Sequence, residues 1–186
     1  MDSNSVRDYG FVEVLKDYSK KEVDALMAFH KENGGLSRYV KFRYFFEVIR
    51  GISISEDDIK FWADKFSKVM MKSLIKPNLL IKETLDFIIS NSQNYDMHIV
   101  SGSDQTELRY ICNSLGIAKY FNSIHGSPTP KNNLVANLLE SNSYDKKSCL
   151  LIGDSKNDYE AAKVNDIHFM GYGNEKIKTN TDYKLF

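Results

Sequence analysis

The sequence predicts an α/β fold in which a parallel sheet lies between two layers of helices and a separate helical unit precedes it. Three observations predict this. From Pro77 onward, short apolar runs alternate with amphipathic segments, a pattern that builds parallel sheets covered on both faces. From Lys20 to about Leu74 the apolar period is helical throughout. The stretch CLLIGDSKNDYEAA, Cys149 to Ala162, runs from an apolar strand into a turn and a helix, and ligands in open parallel sheets bind beyond such carboxyl ends.

In the helical half, Val23, Leu26, Met27 and His30 mark one face, and Phe42, Phe45, Phe46 and Ile49 another. Ile59, Trp62, Ala63, Phe66, Val69 and Met70 keep the helical period over about three turns. Ser55 with Asp58 resembles a capping box. Asn33, Gly34, Gly35 and Leu36 break one helix, and Ser37 is placed to cap the next. Residues 1–76 are expected to form this cap and residues 77–186 the sheet domain. Its elements are a helix with Ile81, Leu85 and Ile88, a strand at Met97–Val100, a helix stopped by Gly116, and a strand near Ile124. A helix with Leu134, Val135 and Leu138 follows, then the Cys149 strand, a helix with Ala161 and Ala162, and a strand at Ile167–Met170. The run of Cys149, Leu150, Leu151 and Ile152 without alternation predicts a strand buried on both faces.

Composition narrows the function classes. Lys and Arg total 25 and Asp and Glu total 25, so no charge excess favours nucleic acid or an acidic membrane. No apolar stretch approaches the roughly 20 residues that span a bilayer, and MDSNSVRD has no signal-peptide apolar region. The cytoplasm is the default location. Cys112 and Cys149 fall inside apolar patterns, as free core thiols do, and build no disulfide framework. The four histidines are far apart in sequence and lack metal-ligand spacing.

Three strand ends carry the chemistry. Ser101, Gly102 and Ser103 follow MHIV and precede a helix, which suits either an anion site of hydroxyl and backbone N–H groups or an ordinary N-cap at Ser103. SPTPK stiffens the approach to Lys131, whose charge opposes the helix dipole and is explained either by a bound anion or by solvent. Asp154 and Asp158 offer hard oxygen ligands for Mg²⁺, or else an Asx turn and a solvated helix start.

Taken together, Ser101 after MHIV, Lys131, and Asp154 with Asp158 in GDSKND resemble the second, third and fourth motifs of the haloacid dehalogenase-like superfamily, in particular its phosphatases with a helical cap. The resemblance implies a three-layer Rossmann-like core. It places the transferring phosphoryl group on Ser101 and Gly102, charge stabilisation on Lys131, and Mg²⁺ on Asp154 and Asp158. Arg38 and Lys41, in a GG-x-S-R-x-x-K-F run shared with some capped relatives, are either substrate contacts or part of a solvated helix face. The implied activity is Mg²⁺-dependent hydrolysis of a phosphomonoester, a sugar phosphate or another small phosphorylated metabolite. Two other readings are an inactive relative that binds a phosphorylated ligand or a partner, and a plain doubly wound nucleotide-binding or receiver-like domain.

The sequence departs from the family at its start. Members open with a strand ending in DxDG(T/V), whose first Asp attacks phosphorus and whose second is the acid and base. No such motif is present here, and Asp2 matches a later family Asp. The expectation is a chain truncated before or within the first motif. The sheet then lacks the strand between those carrying Ser101 and Asp154, leaving backbone groups unpaired at about 1 to 3 kcal/mol each. A direct ladder between those two strands would refute this expectation.

Overall fold

A computed structural model describes residues 1–173 of the chain; residues 174–186, the end of the expected sheet domain, lie outside the described ones. The chain opens with helix α1 (Asn4–Val14), a segment to which sequence reasoning gave no element. Helix α2 (Lys20–Glu32) starts at a full capping box, with Ser19 and Glu22 reciprocally bonded. Helix α3 (Arg38–Tyr44) is capped by Ser37, whose side chain accepts from the Val40 N–H. It runs into one π-helical turn, Phe45–Ile49, and both Phe45 and Phe46 are buried there. Helix α4 (Glu56–Leu74) completes the unit; Ser55 caps it through the Asp58 N–H, half of the reciprocal box expected.

These helices hold the principal core. Phe11, Leu15, Leu26, Phe42, Phe45, Phe66, Met70 and Leu74 are almost fully buried. Rings of Phe11, Phe42 and Phe66 lie tilted or edge-on to one another, and Trp62 adds contacts to Tyr18, Phe42 and Phe46. Such arrangements contribute beyond area burial. The aromatic stripes are therefore packing.

A 3₁₀ turn at Pro77–Leu79 leads to α5 (Lys82–Asn91). Then come β1 (His98–Asp104), α6 (Gln105–Ser114), β2 (Ser123–Ser127), α7 (Lys131–Ser141), β3 (Leu150–Gly153), α8 (Lys156–Asn165) and β4 (His168–Gly171). All described pairings are parallel, β1 with β2 and β3 with β4. This is the α/β fold expected. Among the described residues the sheet is two half-sheets, and no ladder joins β1 to β3.

The split explains one departure from the sequence reading. Leu150 and Ile152 are 40% and 41% exposed, whereas their apolar run predicted burial on both faces. Among the described residues strand β3 has only β4 beside it, and its second small core, Ala162 and Phe169 with Leu151 and Tyr159, gathers on the α8 side. The opposite face carries Leu150 and Ile152. No helix among the described residues is long and apolar enough to cross a membrane.

Candidate active site

The expected site residues sit at strand ends and helix starts. Strand β1 extends through Ser101 and Gly102 to Asp104, and Asp104, not Ser103, caps α6 by accepting from the Glu107 N–H at 3.0 Å. Aspartate serves well at this position because its carboxylate also meets the positive helix end. Ser103 is instead buried against Ser101: the Ser101 Oγ accepts from the Ser103 N–H and donates to its Oγ, each at 3.1 Å.

Lys131 opens α7 and is buried. Its Nζ meets the Asp158 carboxylate, and the side chains of both are at most 8% exposed. An ammonium at a helix N-terminus opposes the dipole, and the carboxylate of a neighbouring helix offsets that here. Asp158 also completes a capping box: its Oδ2 accepts from the Ser155 N–H at 3.0 Å and the Ser155 Oγ at 2.6 Å. Gly153 is not among the glycines at positive φ. A Cβ at 153 would overlap the Asp158 side chain. Close approach is what the glycine permits.

Asp154 follows β3 directly. The Met1 ammonium stands near it: burial lowers that amino group's pKa and the Asp154 charge opposes the fall. For Mg²⁺, which takes one or two carboxylates with water and phosphate oxygens, Asp154 is a suitable ligand. Both Asp158 oxygens are engaged by Lys131 and Ser155, which leaves it as a positioning group in this structure. Among the described residues no three His, Cys, Asp or Glu converge as a metal cage.

The cap closes over these strand ends through the Gly34–Gly35 turn, a contact that sequence reading took only as a helix break. Gly35, at φ +89°, lies against the Ser155 side chain, and its carbonyl accepts from Asn157 Nδ2 at 3.0 Å. The Gly35 carbonyl also fills the space a Cβ would need at Gly102. The paired glycines were the available signal.

Arg38 and Lys41 do not present solvated heads. The Arg38 guanidinium forms a bidentate pair with Glu107 of α6, at 2.5 and 2.8 Å, donates to Ser67 Oγ at 2.6 Å, and stacks over Phe66. Lys41 Nζ lies 2.7 Å from His30 Nδ1, and His30 Nε2 lies 3.0 Å from Asp8. Burial, with the Arg7 charge next, brings the Lys41 ammonium down to about 8, and burial brings His30 down to about 4. Tyr39 adds a further cap-to-core bond, donating to Asp104 at 2.7 Å.

The haloacid dehalogenase-like hydrolase family model matches residues 8–172. The chain belongs to that family. Haloacid dehalogenase-like proteins of known structure share its fold. A family hydrolase from Streptococcus pneumoniae superposes with a TM-score of 0.68 at 18% identity, covering 98% of this chain and 86% of that one. A predicted phosphatase from Clostridium acetobutylicum gives 0.73 at 16%, over 98% and 86%. A CbbY variant from Rhodobacter sphaeroides in complex with xylulose-(1,5)bisphosphate gives 0.71 at 12%, over 99% and 88%. At these identities the likeness carries the fold. No curated protein matches the chain.

Proposed function

We propose that the chain is a Mg²⁺-dependent phosphomonoester hydrolase of the haloacid dehalogenase-like kind, acting on a small phosphorylated metabolite. The observation that supports this most is the buried Lys131–Asp158 pair with Asp154 four residues before Asp158. Phosphoryl transfer depends mainly on positioning and on stabilising charge at the phosphoryl oxygens. Lys131 supplies a fixed, desolvated positive charge for that purpose. Ser101 Oγ and the Gly102 N–H are the donors for the transferring group, and the Gly35 turn shields them from water. Asp154 would hold Mg²⁺, which neutralises phosphate charge when bound. The sugar phosphate reading draws on the CbbY complex with a sugar bisphosphate. Arg38 and Lys41 are candidate contacts for the remainder of the substrate, reached only if Glu107 and His30 release them.

The attacking group is not assigned, because the sequence has no Asp-x-Asp-Gly motif. That same observation favours a second reading, a relative that binds a phosphorylated ligand without turnover. The deciding experiment assays phosphomonoesters with Mg²⁺ or EDTA, using the 186-residue chain and a version preceded by an apolar strand ending in Asp-x-Asp-Gly. Mg²⁺-dependent turnover in the extended version, lost in Asp154→Asn, is the expected result. Thermal stabilisation by phosphate without turnover in either version selects the binding reading, and neither response overturns both.

A further inference from the structure

We propose that Arg7 receives a second anionic group on the substrate, a carboxylate or a further phosphate, so that the chain takes phosphate esters carrying an acid at their other end. This rests on the phosphomonoesterase reading above and extends it to the part of the substrate that is not transferred.

Helix α1 sets Arg7 beside the charged residues of the cap. Ser3, Arg7 and Phe11 are spaced four residues apart and share one helix face. Phe11 is buried, its ring centroid 4.5 Å from that of Phe66 and 4.8 Å from that of His30. The Arg38 guanidinium stacks over the same Phe66 ring at 4.5 Å, and Lys41 Nζ lies 5.8 Å from the Phe11 centroid. A helical side chain leans toward the N-terminus of its helix, and Arg7 does so: its Nε donates to Ser3 Oγ at 3.3 Å. Ser3 holds the N-cap position of α1 without capping it. The Asp2 N–H bonds the Leu79 carbonyl at 2.8 Å, which ties this end of α1 to the segment leading into the sheet domain.

The charges around Arg7 are already committed elsewhere. The buried cations Arg38, Lys41 and Lys131 each have a partner on the chain, in Glu107, His30 and Asp158, and Asp8 is taken by His30. Arg7 has only the Ser3 hydroxyl: among the described residues no carboxylate oxygen lies within 4.0 Å of its nitrogens. The two terminal nitrogens keep their fork of donors unused. A guanidinium stays charged in proteins, and burial is the chief influence lowering its pKa, offset only in part by the Glu107 and Asp154 charges. The side chain is nonetheless only partly buried, so the fork is reachable. Such a fork pairs two oxygens of a carboxylate or phosphate at once, whereas a neutral hydroxyl would leave the charge unmatched.

The test is calorimetric titration of the full chain, in saturating Mg²⁺, with short ω-carboxyalkyl phosphates and alkane bisphosphates, each against the alkyl phosphate of the same length. At least one acid-bearing ester should bind about tenfold more tightly than its alkyl counterpart, and Arg7→Gln should bring that ratio close to one. Arg7→Lys should restore part of it, since lysine supplies the charge without the fork. A measurement that does not depend on the variants folding uses malonate, which carries no phosphate and should shift the Arg7 Nε–H resonance of the wild-type chain. A ratio that survives in Arg7→Gln, or an Arg7 resonance that neither malonate nor the esters move, overturns the assignment of Arg7. Alkyl phosphates that bind as tightly as the acid-bearing esters overturn it too, and leave the phosphomonoesterase reading intact. An Arg7 resonance moved by malonate in a chain that binds no phosphate ester supports the anion site and removes the phosphomonoesterase reading instead.

Discussion

Arg38 in the cap and Glu107 in the sheet domain form a bidentate ion pair whose side chains are only 2% and 0% exposed. Removing one partner leaves the other charged and buried, which costs about 3 to 5 kcal/mol, whereas replacing both by apolar groups is often neutral. Glu107→Gln and Arg38→Met should each lower the urea midpoint strongly, and Arg38→Met with Glu107→Leu should recover most of the loss. Equal losses in single and double variants would show that the pair does not act as a unit.

Lys41 predicts a rise in stability with alkaline pH. In the folded chain it loses its proton near 8, against 10.5 for an ordinary lysine. Between those values the unfolded chain binds more protons, so stability increases with pH, by on the order of 3 kcal/mol across the window. His30 has the same sign between about 4 and 6.5. Unfolding free energies at pH 7, 8.5 and 10 should climb in the wild type and stay flat over that window in Lys41→Met.

Gly102→Ala should push the cap off the strand ends. Its new methyl would overlap the Gly35 carbonyl, and overpacking of this kind costs about 1 to 3 kcal/mol. Limited proteolysis should cut the Asn33–Leu36 turn faster in the variant, with little change in helix content by circular dichroism.

Ser155→Ala and Asp158→Ala separate two roles of the Asp158 carboxylate. The serine change removes a cap, worth about 0.5 to 2 kcal/mol. The aspartate change also strands the buried Lys131 ammonium and should cost more, with most of that excess recovered by adding Lys131→Met. A urea melt of all three variants tests the order.

The sequence showed the helix–strand alternation and the order Ser101, Lys131, Asp154, Asp158 because each leaves a local mark: an apolar period, a glycine, a charge set against a dipole. What it concealed depends on pairing across the chain. Glu107 carries no local sign that it faces Arg38, 69 residues earlier. The exposure of Leu150 and Ile152 follows from which strand lies beside β3, a property outside the run itself. The shift of the α6 cap from Ser103 to Asp104 is a one-residue contest between two good capping side chains, settled when Ser103 turned inward to Ser101.

The uneven distribution of the core sets an order of unfolding. Nearly all members of the principal buried cluster come from residues 11–74, with Ile111 the exception, while the smaller cluster around α8 has only Ala162 and Phe169 fully inside. Regions with few buried apolar contacts open at low free-energy cost. Backbone amides of α2 and α4 should therefore be the last to exchange with deuterium, and those of β3 and β4 among the first, so that the strand-bearing half breathes while the aromatic bundle keeps its shape.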